Sequence, residues 1–284
     1  MNYFLLGLSS FMNGAKSVAA KKGNGYINEN QNIYTYNFYM FLTALTVVAA
    51  VGIPSFNGLS VTTLLVGACY GLSLYFAQFF LIKAINEGNT SVSTLFYSCG
   101  FLGPTFFSVI RYGEEISVFQ ILGILLIIVS FVVTVDKNGK TTKRWFLYIF
   151  MALFCNALCG ISQKTFAMSE FNAQQSGFMI TVFMTASVAA FIFTQKKRAL
   201  PSPSFLRAAF LSGVLLGALN TLNVYLSKKL PGSIVFPCVN SGGIVFSAVL
   251  AWLLMKEKLS VKKNNRPCPR HRRHIHYRLA LIKF

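Results

Sequence analysis

Nine apolar runs divide the chain: Tyr3–Ala20, Tyr36–Ile53, Val61–Ile82, Ser91–Ile110, Val118–Val135, Trp145–Ser162, Gly177–Thr194, Phe205–Leu226 and Ile234–Leu254. Each is close to the roughly 20 residues that cross a bilayer as a helix. Short polar punctuators separate them, among them Lys21–Gln31, Arg111–Glu115, Lys137–Arg144 and Gln195–Ser204. A bilayer holds no water to satisfy backbone N–H and C=O groups, so segments of this length must be helical. The pattern predicts an all-α integral membrane protein. The first run has no basic leader and no clear cleavage site, so it is expected to be a retained helix rather than a signal peptide. Tyr34, Tyr36, Trp145 and Tyr148 are expected at the membrane interfaces, where amphipathic rings settle.

Composition sharpens this picture. Of 284 residues, 54% are hydrophobic and 12% charged, with a mean hydropathy of +0.56. Soluble domains carry about 25% charged residues, which excludes an ordinary soluble enzyme, a disordered tail protein and a disulfide-knotted secreted domain. The formal charge of +19 is uneven: residues 261–284 hold eight basic side chains, no acid and all three histidines. Five of the six cysteines (Cys69, Cys99, Cys155, Cys159 and Cys238) fall in apolar runs, where a thiol behaves as a small hydrophobe. No CxxC pair is present, and no redox chemistry is expected. Numbered in order, the odd loops hold thirteen basic residues and the even ones only Arg111, Lys164, Lys228 and Lys229. By the positive-inside rule, that puts the odd loops in the cytoplasm and the N-terminus outside.

The two halves also match at one fixed offset. Asn13/Asn156, Lys21/Lys164, Gly100/Gly243, Glu114/Glu257 and Ser117/Ser260 are each 143 residues apart. Gly67-x3-Gly71 and Gly213-x3-Gly217 repeat with a small slip, as a loop insertion produces, and each allows close helix approach. A unit of five helices, being odd, is inverted in the membrane when it is repeated. Inverted repeats are a common build of secondary transporters, with the substrate site near the midplane between the halves. The expected architecture is therefore two inverted repeats of five transmembrane helices. The repeats run over 1–136 and 145–263, and 264–284 forms a basic tail.

Particular residues carry a family likeness. Asn89-Thr-Ser-Val-Ser, Gly103-Pro104 and Gly113-Glu114-Glu115-Ile116-Ser117 resemble the end of an EamA repeat, which belongs to the drug/metabolite transporter superfamily. Pro231-Gly232-Ser233 and Lys256-Glu257-Lys258-Leu259-Ser260 resemble the same stretch in the second half. The resemblance implies ten helices, both termini inside, and movement of small metabolites or drugs across the cytoplasmic membrane. Its orientation conflicts with the loop charges.

Polar groups inside membrane helices are costly and tend to be interhelical glue or function. Ser9, Asn13 and Ser17 form one stripe, matched by Asn156, Gly160 and Gln163 on the repeat partner. Tyr75 with Gln78, and Asn220 with Asn223, share helix faces, while Tyr97 and Asn240 are paired by the offset. The candidate substrate-binding set is therefore Asn13, Asn156, Tyr75, Gln78, Asn220, Asn223, Tyr97 and Asn240. Interhelical hydrogen bonding and substrate contact are both open for each member. Aromatic and amide lining suits a small polar, partly apolar solute. Lys16 either snorkels to the interface or pairs with an anionic substrate.

The carboxylates fall at helix ends, where Glu114, Glu115 and Glu257 read as solvated caps. Related small multidrug-resistance proteins exchange protons through a first-helix glutamate; the nearest polar candidate here is Asn13, which does not titrate. No catalytic residues, metal site or cofactor are expected, since the body has no histidine and Cys155-x3-Cys159 reads as packing. A channel's charged ring or filter loop is not visible either. The expected partners are a small-molecule substrate and the bilayer, with no nucleic acid.

The tail departs from the repeat. A tenth helix should follow Ser260-Val261-Lys262-Lys263, yet the chain reads Asn264-Asn265-Arg266-Pro267-Cys268-Pro269-Arg270-His271. Lys-Lys-Asn-Asn is encoded by an adenine-rich run. Losing one base there turns Asn264, Asn265, His271, His274, His276 and Tyr277 into Ile or Thr, and Cys268 into Ala or Val. It permits glycine at position 266, which is 143 after Gly123. The expectation is that 264–284 is out of frame and that its zinc-like and basic motifs carry no function.

Overall fold

In a computed structural model of the chain, the structure describes residues 1–25, 33–87, 90–134, 143–194 and 201–255. The tail, Glu257 and the three histidines lie outside them, so neither the tail's frame nor its motifs are addressed by the fold. Among the described residues there is no strand. The helices are α1 (Asn2–Gly25), α2 (Ile33–Gly52), α3 (Val61–Glu87), α4 (Thr90–Ser98), α5 (Leu102–Tyr112), α6 (Val118–Thr134), α7 (Lys143–Ala167), α8 (Gln175–Thr194), α9 (Pro203–Lys229) and α10 (Gly232–Met255). All nine expected spans are helical, the fourth being α4 and α5 joined by a 3-10 turn at Cys99–Phe101. Pro104 accounts for that break: it lacks the N–H that would bond to the Gly100 carbonyl. By length and apolarity, seven spans suffice to cross a membrane. The other two are α1, which carries Lys16, Lys21 and Lys22, and α6, 17 residues long.

Local chemistry sets the ends. Ser202 caps α9 by accepting from the Phe205 N–H at 3.3 Å, and Pro203 takes the first helical position. Gly113 closes α5 at φ +63°, a left-handed conformation that glycine adopts without a Cβ penalty.

The packing repeats the sequence symmetry. In the second half, α7, α8, α9 and α10 correspond to α1, α2, α3 and α4–α5. α3 packs on α7 and α8, and its counterpart α9 packs on α1 and α2. α2 lies against α8, and α10 against α1 and α5. The third helix of each half is thus held by the opposite half, so the halves interlock. The glycine pairs explain how closely. A Cβ at Gly71 would strike the Val182 carbonyl, and one at Gly213 the Met40 carbonyl, so only glycine lets these backbones meet.

An aromatic core including Phe41, Tyr70, Tyr75, Phe178, Phe183 and Phe205 fills the space among α2, α3, α8 and α9. Large apolar side chains such as Phe119, Leu126, Phe150, Phe210 and Leu254 point outward, the surface that lipid tails cover. Two of the residues expected at the interfaces are buried against protein. Trp145 is buried and its indole N–H donates to Ser93 Oγ at 2.9 Å, while the buried Tyr36 hydroxyl meets Ser212 Oγ at 2.7 Å. Each polar tip has found a protein partner, which removes its need for headgroup water. The loop count also changes: Lys21 and Lys22 lie in α1, Lys83 in α3, Arg111 in α5, Lys143, Arg144 and the buried Lys164 in α7, and Arg207, Lys228 and Lys229 in α9.

Candidate functional site

Asn13 of the α1 stripe and Asn156, Gly160 and Gln163 of the α7 stripe line one cavity of about 110 Å³ between the halves, whereas Ser17 is exposed. α1 contributes Asn13 and Lys16; α7 contributes Asn156, Cys159, Gly160 and Gln163. α3 adds Tyr70, Leu74 and Gln78, a stripe at i, i+4 and i+8, and its counterpart α9 adds Leu216, Leu219, Asn220 and Asn223. Tyr97 and Phe101 from the broken fourth span meet Phe236 and Asn240 from α10. Seven of the eight candidate residues line this space together: Asn13, Asn156, Gln78, Asn220, Asn223, Tyr97 and Asn240. Tyr75 does not. It is fully buried in the aromatic core, its ring stacked on Phe193 at 5.4 Å, because it sits one residue round α3 from the Leu74 stripe.

The two asparagines at the heart of the repeat are seated alike. Asn13 Nδ2 donates to the Val239 carbonyl at 3.1 Å, and Asn156 Nδ2 donates to the Tyr97 carbonyl at 3.0 Å. Asn13 packs on Gly243 and Asn156 on Gly100, where a Cβ would overlap the amide. Each asparagine thus meets the glycine that is the offset partner of the one its own counterpart meets. Each asparagine clamps the opposite fourth span, or its counterpart, through one N–H of its amide.

A second network joins α3, α7 and α9. The Tyr70 hydroxyl donates to Asn220 Oδ1 at 2.6 Å and lies 3.3 Å from Gln163 Oε1, while Gln163 Nε2 donates to Ser227 Oγ at 2.9 Å. Ser9 Oγ donates to Asn223 Oδ1, tying α1 to α9. Some of the candidate polar groups thus hold helices together, and Asn220 and Asn223 have their oxygens engaged.

One end of the interface carries an ion pair that sequence reading missed. Lys164 Nζ lies 2.6 Å from Glu114 Oε1, with side-chain exposures of 2% and 12%. Lys164 also donates to the carbonyls of Ser227 at 3.1 Å and Leu230 at 3.5 Å, at the C-terminal end of α9. Glu114 Oε2 accepts from the Gly232 N–H at 2.6 Å and the Ser233 N–H at 3.4 Å, at the N-terminal end of α10. Each charge thus meets its partner and the helix end whose field favours it. Glu114 is therefore no solvated cap of its own span: it bridges the first half to two helices of the second. Glu115 is exposed. The matching offsets of Lys21/Lys164 and Glu114/Glu257 are the available signal, but Lys164 reads as a loop residue from its place just past an apolar run.

Among the described residues, no cluster of three metal-ligating side chains exists. Cys155 and Cys159 are buried on α7. The arrangement offers hydrogen-bonding groups and one ammonium around a small cavity between the two halves. That is the layout of a membrane transporter. The sequence profile of the EamA-like transporter family matches residues 1–135 and 143–263, and the chain belongs to that family. Membership makes it a multi-pass membrane transporter of the drug/metabolite transporter superfamily, a group of transporters rather than enzymes. Of 24 solved chains that match, one crystal structure, 16% identical, superposes with a TM-score of 0.71 over 92% of this chain and 91% of that one. That likeness concerns the fold. No curated protein matches the chain in sequence.

Proposed function

We infer that the chain is a secondary transporter that moves small metabolites or drugs across the cytoplasmic membrane by alternating access. The observation that carries this reading is the polar cavity between the interlocked halves, with the Lys164–Glu114 pair joining those halves at one end. In alternating access the halves rock about a fixed site, so contacts that close one end must break when the other closes. A cross-half ion pair seated on two helix ends suits such a lock, because water and salt replace it when it opens. The cavity's Asn13, Asn156, Gln78, Tyr97 and Asn240 contact the solute in this reading, with Asn220 and Asn223 holding the wall. The small-molecule substrate meets the site directly, and no proton passes through a first-helix carboxylate. Counterflow of labelled metabolites in proteoliposomes tests the reading. Saturable exchange supports it, whereas non-saturable flux indicates a channel and chemical conversion of the solute indicates an enzyme.

A specific observation favours a second reading, an inactive remnant. The family match stops at residue 263, and the 21 residues after it hold six basic side chains, three histidines and two prolines. A one-base slip in the preceding adenine-rich codons accounts for both, and the chain then lacks the helix that completes its second half. Resequencing the gene and comparing counterflow by the given and frame-restored proteins separates the readings. A confirmed frame with full activity removes the second one.

A further inference from the structure

We propose that the cavity takes a small organic anion that also carries a hydroxyl donor, the chemistry of a 2-hydroxycarboxylate, with its negative charge held by Lys16. This deepens the transporter reading and rests on it for the site's role.

The first observation is charge. Of all the residues lining the cavity, Lys16 alone is ionisable to a full charge at neutral pH. The described acids are Glu87, Glu114, Glu115 and Glu170, and none lines the cavity. Glu114 is already committed to Lys164 and the amides of α10. Lys16 makes no ion pair and no hydrogen bond among the described residues, unlike Lys164, which has three partners. An ammonium held among packed helices without a counter-charge is costly. A solute that supplies the anion repays that cost only while bound, which makes charge a selection rule.

The second observation concerns which amide atoms are free. Only an NH2 group can donate to a carbonyl, so the bonds from Asn13 to Val239, Asn156 to Tyr97 and Asn240 to Phe236 fix all three amide orientations. Each has spent one N–H on the backbone and keeps the other, and the oxygen of each accepts no hydrogen bond among the described residues. The cavity therefore offers unpaired acceptors as well as donors beside a single cation. A bare anion satisfies Lys16 and the spare N–H groups and leaves the amide oxygens without a donor. A solute with an anionic group and a neighbouring O–H satisfies both. The Gln78 amide has no hydrogen-bond partner among the described residues and offers either sense of bond. Phe101 and Phe236 supply apolar walls for a carbon skeleton.

Purified full-length protein in nanodiscs is titrated with mandelate, with its neutral amide mandelamide, and with phenylacetate, which keeps the carboxylate and lacks the hydroxyl. Mandelate is expected to bind at least tenfold more tightly than either. K16Q is expected to abolish its advantage over mandelamide while sparing the hydroxyl's contribution, and K16R to retain most of the advantage. Equal binding of mandelate and mandelamide by the unaltered protein overturns the proposal without any variant, as does failure of all three to bind. Unchanged preference in a folded K16Q overturns it too. The transporter reading fails separately: Lys16-dependent binding of mandelate without mandelate counterflow keeps the anion site and removes transport. Saturable counterflow of an unrelated neutral solute that is indifferent to K16Q keeps transport and removes the anion site.

Discussion

Removing either member of the Lys164–Glu114 pair is expected to destabilise the interface between the halves, and removing both is expected to cost far less than the sum. The pair is 2.6 Å apart with exposures of 2% and 12%, so water stabilises neither charge well once its partner is gone. Breaking such a buried pair costs about 3–5 kcal/mol. Each survivor keeps two backbone partners at a helix end, Ser227 and Leu230 carbonyls for Lys164, Gly232 and Ser233 amides for Glu114. A helix end in a partly buried setting returns up to about 2 kcal/mol. Each single change is then expected to cost about 1–3 kcal/mol, with E114Q toward the upper end because Lys164 is the drier of the two. In E114Q/K164M no charge is left unpaired, so a coupling energy of about 1–2 kcal/mol should remain between the positions. Equilibrium unfolding of the four proteins in mixed micelles of sodium dodecyl sulfate and a mild detergent measures the cycle. Strictly additive costs refute the argument, since they mean that the charges do not depend on one another.

Gly243→Ala places a methyl group onto the Asn13 amide and is expected to cost about 1–3 kcal/mol and to impair counterflow, as measured by unfolding and exchange rates. Gly100→Ala is expected to act alike on Asn156, and unequal effects argue that the two clamps are not equivalent. Tyr75→Phe removes a buried hydroxyl that finds no partner among the described residues, so it is expected to be neutral or to stabilise by up to about 2 kcal/mol with transport intact. Loss of transport in that variant returns Tyr75 to the substrate-binding set. Restoring the reading frame after Lys263 is expected to raise the midpoint of thermal unfolding and the counterflow rate, both compared with the chain as given.

Hydropathy alone exposed the helices, because a bilayer leaves the backbone no alternative, and the 143-residue offset exposed the halves. The same offset marked Asn13, Asn156, Gly100 and Gly243, which meet in the structure. What it did not convey was direction around a helix. Tyr75 and Gln78 stand three apart on α3, yet the cavity stripe passes through Tyr70, Leu74 and Gln78. A helix buried on several sides has no polar face to betray which side is the site. Lys164 was hidden for a different reason. A lysine two residues beyond an apolar run looks like loop, and only the fold brings Glu114 and two helix ends to it. Lys16 was ambiguous because snorkelling and cavity lining use the same side chain, and neighbouring helices decide between them.

Accessibility of Cys159 from the two faces of the membrane tests alternating access most directly, since this thiol lines the cavity. A protein retaining Cys159 as its single cysteine, reconstituted in vesicles, is exposed to a membrane-impermeant thiol reagent from outside or from inside. The account predicts labelling from one face only in the unaltered background, with E114Q shifting labelling toward the opposite face as the Lys164–Glu114 lock opens. Labelling from both faces at once, from neither, or from the same face regardless of the lock contradicts it.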